Sequence, residues 1–286
     1  MERSTAGWGS GLLGVIIFSG SLPATRAGVA GFTPLFLTSA RAVIAALLGA
    51  IFLLAYRQAK PVKSDLVSLV IVAIGAVIGF PLLTGLALKH ITAAHSVVFI
   101  GLLPLSTAIF AVLRGGERPQ LPFWIFSAIG ATAVAGFALV QGGEGSAIGD
   151  LLMLVAIALC GLGYAEGATL SRRLGGWQVI SWALLLSLPI MLAIAVVALP
   201  SDWHGIGTQS WIGLAYVAAF SQLIGFVFWY RGLALGGIAG VGQLQLLQPF
   251  LGLLISAALL GEPVAWTMIA STVVVVLCVA GAKRFA

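Results

Sequence analysis

The sequence predicts an all-α integral membrane protein of ten transmembrane helices, built as two inverted five-helix repeats with both termini cytoplasmic. Three observations carry this expectation. First, apolar runs of eighteen or more residues recur along the whole chain, and runs of that length span a bilayer. Second, one long motif occurs twice, near residues 85 and 232. Third, basic residues concentrate on alternate connections between the runs.

Composition excludes a soluble fold. Of 286 residues, 60% are hydrophobic and 8% are charged, where a soluble domain would carry about 25% charged residues. Lipid offers backbone groups no partners, so each span must be a helix or part of a closed barrel. The runs are too long and too uniformly apolar for barrel strands, which alternate over about ten residues.

The doubled motif reads GLALKHITAAHSVVFIGLLPLSTAIFAVLRGGERP from Gly85 and GLALGGIAGVGQLQLLQPFLGLLISAALLGEP from Gly232. Each copy carries one central proline, Pro104 and Pro249, and thirteen residues later a glutamate after a glycine, Glu117 and Glu262. The proline and glutamate landmarks are 145 residues apart and the GLAL landmarks 147. An echo with that period divides the chain into two copies of one unit, residues 1–143 and 144–286.

In order, the spans are expected at about 8–25, 33–55, 66–88, 92–113, 121–141, 149–170, 177–199, 210–231, 237–260 and 264–282. The first is read as a retained helix, since no basic n-region or small-x-small cleavage site precedes it. The polar, proline-bearing stretch Tyr56–Asp65 separates spans two and three. The glycine-rich Gln141–Gly149 is the flexible seam between halves. With the N-terminus inside, eleven basic residues lie on cytoplasmic segments against Arg26 and Lys89 outside, with Arg41 inside span two; that asymmetry sets the orientation. Five spans per half is an odd number, so the second half enters upside down, as in many secondary transporters. Glycines four apart (Gly7/Gly11, Gly75/Gly79, Gly163/Gly167, Gly232/Gly236/Gly240) are expected to bring helix backbones close.

The net charge of +6 reflects loop orientation, and no basic run has the interleaved aromatics of a nucleic-acid surface. Cys160 and Cys278 lie in apolar runs, without disulfide, metal or redox spacing. The partners expected are a small-molecule substrate and membrane lipid, with no nucleic acid and no cofactor; a monomer is one option for the oligomeric state.

With ten spans, a proline in the fourth and ninth, and the GE ending after each, the chain resembles the drug/metabolite transporter superfamily, and within it the EamA-type exporters. The closest likeness is to bacterial aromatic amino-acid exporters. The resemblance covers essentially the whole chain. It implies an inner-membrane carrier with a central cavity between the halves, working by alternating access.

The residues expected to line that cavity are polar or aromatic groups within spans, which are costly in lipid and turn inward: Ser19, Phe80, Thr84, His95, Phe99, Tyr164, Ser221, Gln222, Phe226, Gln245 and Gln248. Ser21 and Thr25, Ser96 and Gln243 accompany them. His95 is weighed against a wetted interfacial histidine. Pro104 and Pro249 each free a carbonyl, of Ile100 and Gln245, and are read as gating bends; Pro81 and Pro189 are read as plain kinks. Trp229 and Tyr230, beside Arg231, are read as a cytoplasmic aromatic belt. Arg41 either holds a substrate carboxylate or snorkels, with snorkelling favoured. Glu166 is expected to snorkel. Glu117 and Glu262 are each expected to complement the N-terminus of the next helix. Span one lacks the acidic residue on which small multidrug-resistance relatives depend, so a neutral cavity for amphipathic, uncharged or zwitterionic solutes is expected.

The leading function is therefore a metabolite exporter with amino acids as cargo, and a broad-specificity drug/metabolite exporter is the alternative. A membrane enzyme lacks its nucleophile–base pair or metal cluster, and a channel lacks its filter. No proton-relay pair is evident, which leaves facilitated diffusion and proton coupling both open.

Overall fold

A computed structural model describes residues 2–91, 93–140, 146–260 and 266–286, and every regular element it contains is helical. Glu262, Pro263 and most of the glycine-rich seam lie outside the described residues. Helices α1 (Glu2–Ser19) and α2 (Ser21–Val29) form one long apolar stretch interrupted at Gly20. Helix α3 (Pro34–Ala55) starts on Thr33, whose Oγ1 accepts from the Phe36 N–H at 3.2 Å, with Pro34 in the first turn where no N–H is needed. The third passage consists of α4 (Lys63–Val72), a π-helical segment Ala73–Gly79 and α5 (Phe80–Ala87).

The fourth passage is broken. Helix α6 (Ala93–Ile100) ends, and α7 (Leu103–Gly115) begins with Pro104 in its first turn. Next come α8 (Leu121–Val140), α9 (Ala147–Leu174) and α10 (Gly176–Val197), the last containing Pro189. Helix α11 (Thr208–Ala215), a second π-helical segment Tyr216–Gly225 and α12 (Phe226–Gly236) repeat the pattern of the third passage. Helix α13 (Ile238–Gly242), a 3₁₀ turn Gln243–Leu247 and α14 (Gln248–Leu260) repeat the broken pattern of the fourth, and α15 (Trp266–Phe285) closes the chain.

Among the described residues, eight helical stretches are long and apolar enough to cross a membrane. At the expected fourth span the apolar helix after the break is shorter, Leu103–Gly115. The physical reason at the fourth is the break before Pro104, which divides one apolar run into two helices. Lipid-facing positions show as exposed apolar side chains, such as Leu47, Ile51 and Leu54 on α3.

Packing joins early elements to late ones. Helix α1 lies along α12, α3 along α10, α8 along α15, and α9 along both α7 and the third passage; α7 also meets α13. Two of these seams are made of glycine. A methyl group at Gly7 would land on the backbone of Gly236, and one at Gly232 on the backbone of Gly11. Gly75 likewise meets the backbone of Gly163 and the carbonyl of Leu159. Without a Cβ, backbone sits directly on backbone, as the spacing of these glycines predicts. Both chain ends reach one end of the bundle: Lys283 Nζ sits 4.6 Å above the Trp8 ring, and Gly240 lies against Ala286.

Candidate functional site

Near the middle of the bundle, helix turns give way to irregular backbone, and polar side chains gather there. Pro249 supplies no N–H and crowds the carbonyl four residues back, that of Gln245. That carbonyl accepts instead from the Gln248 N–H, three residues on, which produces the 3₁₀ turn. The turn aims the Gln245 side chain at α9, where its Nε2 donates to the Tyr164 hydroxyl at 3.3 Å.

Tyr164 sits among aromatic rings. Its centroid lies 5.6 Å from Trp229 and 6.0 Å from Phe226, and Phe18 closes the group at 5.1 Å from Phe226 and 6.2 Å from Trp229. These edge-on pairs are the favoured geometry for buried rings. Phe226 and Trp229 share a face, three apart, at the start of α12. Trp229 and Tyr230 are fully buried, which corrects their reading as an interfacial belt. The neighbouring Arg231 is exposed, but the two rings before it turn into the bundle. The Tyr230 hydroxyl donates to the Gly163 carbonyl at 3.3 Å, and its ring fills the space that Gly167 leaves.

Several buried polar atoms here have no hydrogen-bond partner: Gln222 Nε2, Trp229 Nε1, both polar side-chain atoms of Gln243, and Gln245 Oε1. Each such atom costs about 1–3 kcal/mol in a dry interior. Gln243, which accompanied the expected cavity residues, is fully buried in the same 3₁₀ turn. Of the expected residues, the structure brings together Tyr164, Phe226 and Gln245. Gln248 and Pro249 come directly after the turn, both half-buried. Ser221 and Gln222 lie on the π-helical segment just before Phe226, and Ser221 Oγ accepts from Ser21 Oγ at 2.7 Å. Ser19 spends its hydroxyl on its own helix, donating to the Val15 carbonyl at 2.7 Å.

A second group lies elsewhere. His95 Nε2 and Asp150 Oδ1 are 2.8 Å apart, and the His95 ring is 5.6 Å from Phe99. Asp150 precedes Tyr164 by fourteen residues on α9, about 21 Å along the axis. His95 and Phe99 are thus remote from the aromatic–amide cluster, near the end of the bundle away from the termini. No local motif announced the pairing of His95 with Asp150, 55 residues apart. Phe80 packs on the main core and Thr84 Oγ1 is buried without a hydrogen-bond partner.

The opposite end, where the termini lie, is held by ion pairs. Arg114 pairs with Glu166, Arg173 with Asp65, and Arg172 Nη2 with Glu117 Oε1 at 3.0 Å. Glu166 is 4% exposed, so it does not snorkel; Arg114 from α7 neutralises it in place. Glu117 does cap a helix N-terminus, but not that of the next helix. Its oxygens accept from the Ile238 N–H at 2.7 Å and the Ala239 N–H at 2.8 Å, at the start of α13. Sequence adjacency suggested the wrong partner because the chain folds back across 121 residues. Among the described residues, no group of three or more His, Cys, Asp or Glu side chains could hold a metal.

The EamA-like transporter family matches the chain twice, over residues 5–139 and 147–282. A protein of Bacillus subtilis (strain 168) named "Uncharacterized transporter YdeK" is 63% identical over the full length of both chains. A "Probable terminal-alkyne amino-acid exporter" from Streptantibioticus cattleyicolor is 24% identical over 92% of this chain and 88% of its own. One crystal structure superposes with a TM-score of 0.81 at 21% identity, covering 99% of this chain and 100% of that one, which is a likeness of fold. Two family matches spanning nearly the whole sequence, on a bundle of apolar helices, place the chain in the EamA-like transporter family, as a multi-pass membrane transporter.

Proposed function

We propose that this transporter exports small amphipathic metabolites, neutral amino acids and aromatic ones among them, by alternating access across a bacterial inner membrane. The observation that carries the reading is the aromatic–amide cluster of Phe18, Tyr164, Phe226, Trp229 and Gln245, with its unpartnered amide and indole atoms. Rings offer faces for an apolar side chain, and the amides offer both donors and acceptors for a zwitterion. The amino-acid exporter among the relatives points the same way.

Ten spans in two five-span halves, 1–143 and 144–286, remain the proposed architecture. Its support is the recurrence of element pairs: π-helical segments at 73–79 and 216–225, and helices that restart after a break with Pro104 and Pro249 in the first turn. The basic-residue asymmetry assigns the termini, and with them the ion-paired end, to the cytoplasm. The arrangement described is then closed toward the cytoplasm. The test is uptake into inside-out proteoliposomes of a panel of amino acids and of lipophilic cationic dyes, with and without a proton gradient. Saturable amino-acid flux supports the reading. Dye flux without amino-acid flux replaces it with a broad-specificity exporter.

A further inference from the structure

Arg41 is a cation inside a membrane-spanning helix, and no ion pair among the described residues answers it. Its Nε is buried and lacks a hydrogen-bond partner. The arginines at the other end of the bundle differ: Arg114, Arg172 and Arg173 each meet a carboxylate. Among the described residues, the carboxylates at the same end of the bundle are engaged elsewhere, Asp150 by His95 and Asp202 by His204, and Asp65 and Glu166 lie at the opposite end, paired with arginines.

Its placement on α3 argues against a side chain lying in lipid. Residues one turn to either side, Leu37 and Ala45, are 2% and 0% exposed, and they share the Arg41 face. The lipid face of the helix is instead Leu47, Ile51 and Leu54. Leu37 belongs to an outer apolar cluster with Phe32, Phe36, Leu214 and Val217, whereas Ala45 belongs to the main core. Arg41 stands at the seam between the two clusters, seven residues or about 10 Å inside the end of α3. Helical side chains lean toward the helix N-terminus, which directs the guanidinium toward the end of the bundle away from the chain termini.

We propose that Arg41 is a carboxylate-binding residue of the transport path, receiving the carboxylate of the solute at the end remote from the termini. A guanidinium presents paired N–H donors that match a carboxylate fork, and an intramembrane charge without a protein partner is best accounted for by a charged ligand. This rests on the exporter reading and adds to it: the solute must carry a carboxylate, and the zwitterions among amphipathic metabolites become the favoured class.

The decisive measurement uses the wild-type protein in nanodiscs of neutral phosphatidylcholine, so that no anionic headgroup competes. Phenylglyoxal modification of Arg41 is followed by peptide mass spectrometry, with exposed Arg57 as internal reference. Phenylalanine and benzoate should slow modification of Arg41 about tenfold or more at saturation, as a ligand held through the guanidinium must; phenylalaninamide, which lacks the carboxylate, should not, and Arg57 should react equally in all cases. Equal Arg41 rates with every compound overturn the proposal. In vesicles, Arg41→Gln should raise the half-saturation concentration for amino acid about tenfold to a hundredfold, as loss of a charge-assisted hydrogen bond does, and Arg41→Lys should recover part of it. Wild-type half-saturation in Arg41→Gln would also overturn it. If the wild-type protein shows carboxylate protection but moves no amino acid, the exporter reading falls and the carboxylate site stands.

Discussion

On the alternating-access reading proposed above, Glu117→Ala removes a tie that opening the end of the bundle bearing the termini would have to break. The carboxylate accepts from the Ile238 and Ala239 N–H groups at 2.7 and 2.8 Å and from Arg172 at 3.0 Å. Loss of an N-terminal cap costs about 0.5–2 kcal/mol, and loss of the charge beside the helix N-terminus adds about 0.3–1 kcal/mol. The contact with Arg172, whose side chain is 41% exposed, contributes at most about 1 kcal/mol. A total of about 1–4 kcal/mol shifts the closed-to-open ratio about five- to 800-fold. The reporter is Thr107→Cys, in a background with Cys160 and Cys278 changed to alanine. Thr107 is fully buried, and a methyl group at Gly242 on α13 would meet it at 3.3 Å, so it lies directly behind the cap. Labelling by a hydrophilic maleimide in nanodiscs should accelerate about tenfold or more in Glu117→Ala and less in Glu117→Gln, which keeps one acceptor. Unchanged rates in both variants would show that the carboxylate does not hold this end shut.

Three further outcomes are expected. Pro104→Leu and Pro249→Leu each restore a backbone donor where a helix breaks, and should shift thiol labelling at Phe99→Cys in opposite directions; shifts of the same sign would make the prolines static kinks. Gly75→Leu drives a side chain into the backbone of α9 and should cost about 3 kcal/mol or more, read as lost folded yield by fluorescence-detected size exclusion, while Gly85→Leu, where a Cβ meets nothing within 4 Å, should be tolerated. Asp150→Asn weakens the tie to His95; because Asp150 is 37% exposed, the change is at most about 1 kcal/mol, so labelling at Phe99→Cys should rise no more than about fivefold, and a decrease would contradict the reading of this pair as a tie.

What the sequence made legible was local. Apolar runs gave the helices, Pro104 and Pro249 gave the breaks, and glycine spacing gave the close seams, because each effect acts within one or two turns. The partners of charged groups were not legible. Glu166 and Arg114, Asp65 and Arg173, and His95 and Asp150 are separated by 52 to 108 residues, and only the fold brings them together. Trp229 and Tyr230 misled for a related reason. A basic neighbour signals an interface, but the exposure of Arg231 says nothing of the two side chains before it, and Trp229 and Tyr230 follow Phe226 at three and four residues on the buried face. Gln245 was legible as a break in the helix because its carbonyl depends on Pro249, four residues away.

The glycine seams bear on which parts of the molecule can move as bodies. Where backbone rests on backbone, as between α1 and α12 and between the Ala73–Gly79 segment and α9, no side chains remain to change rotamer and let one helix slide along the other. Such contacts either hold or separate completely. Each clamps a helix from the first half of the sequence to one from the second. A rocking motion that preserves both clamps therefore cannot pit one half of the sequence against the other; its rigid bodies are mixed, each drawing helices from both copies of the repeat. The unit copied along the chain and the unit that swings would then be different objects, and a chain cut at the seam between repeats would divide both moving bodies rather than free them.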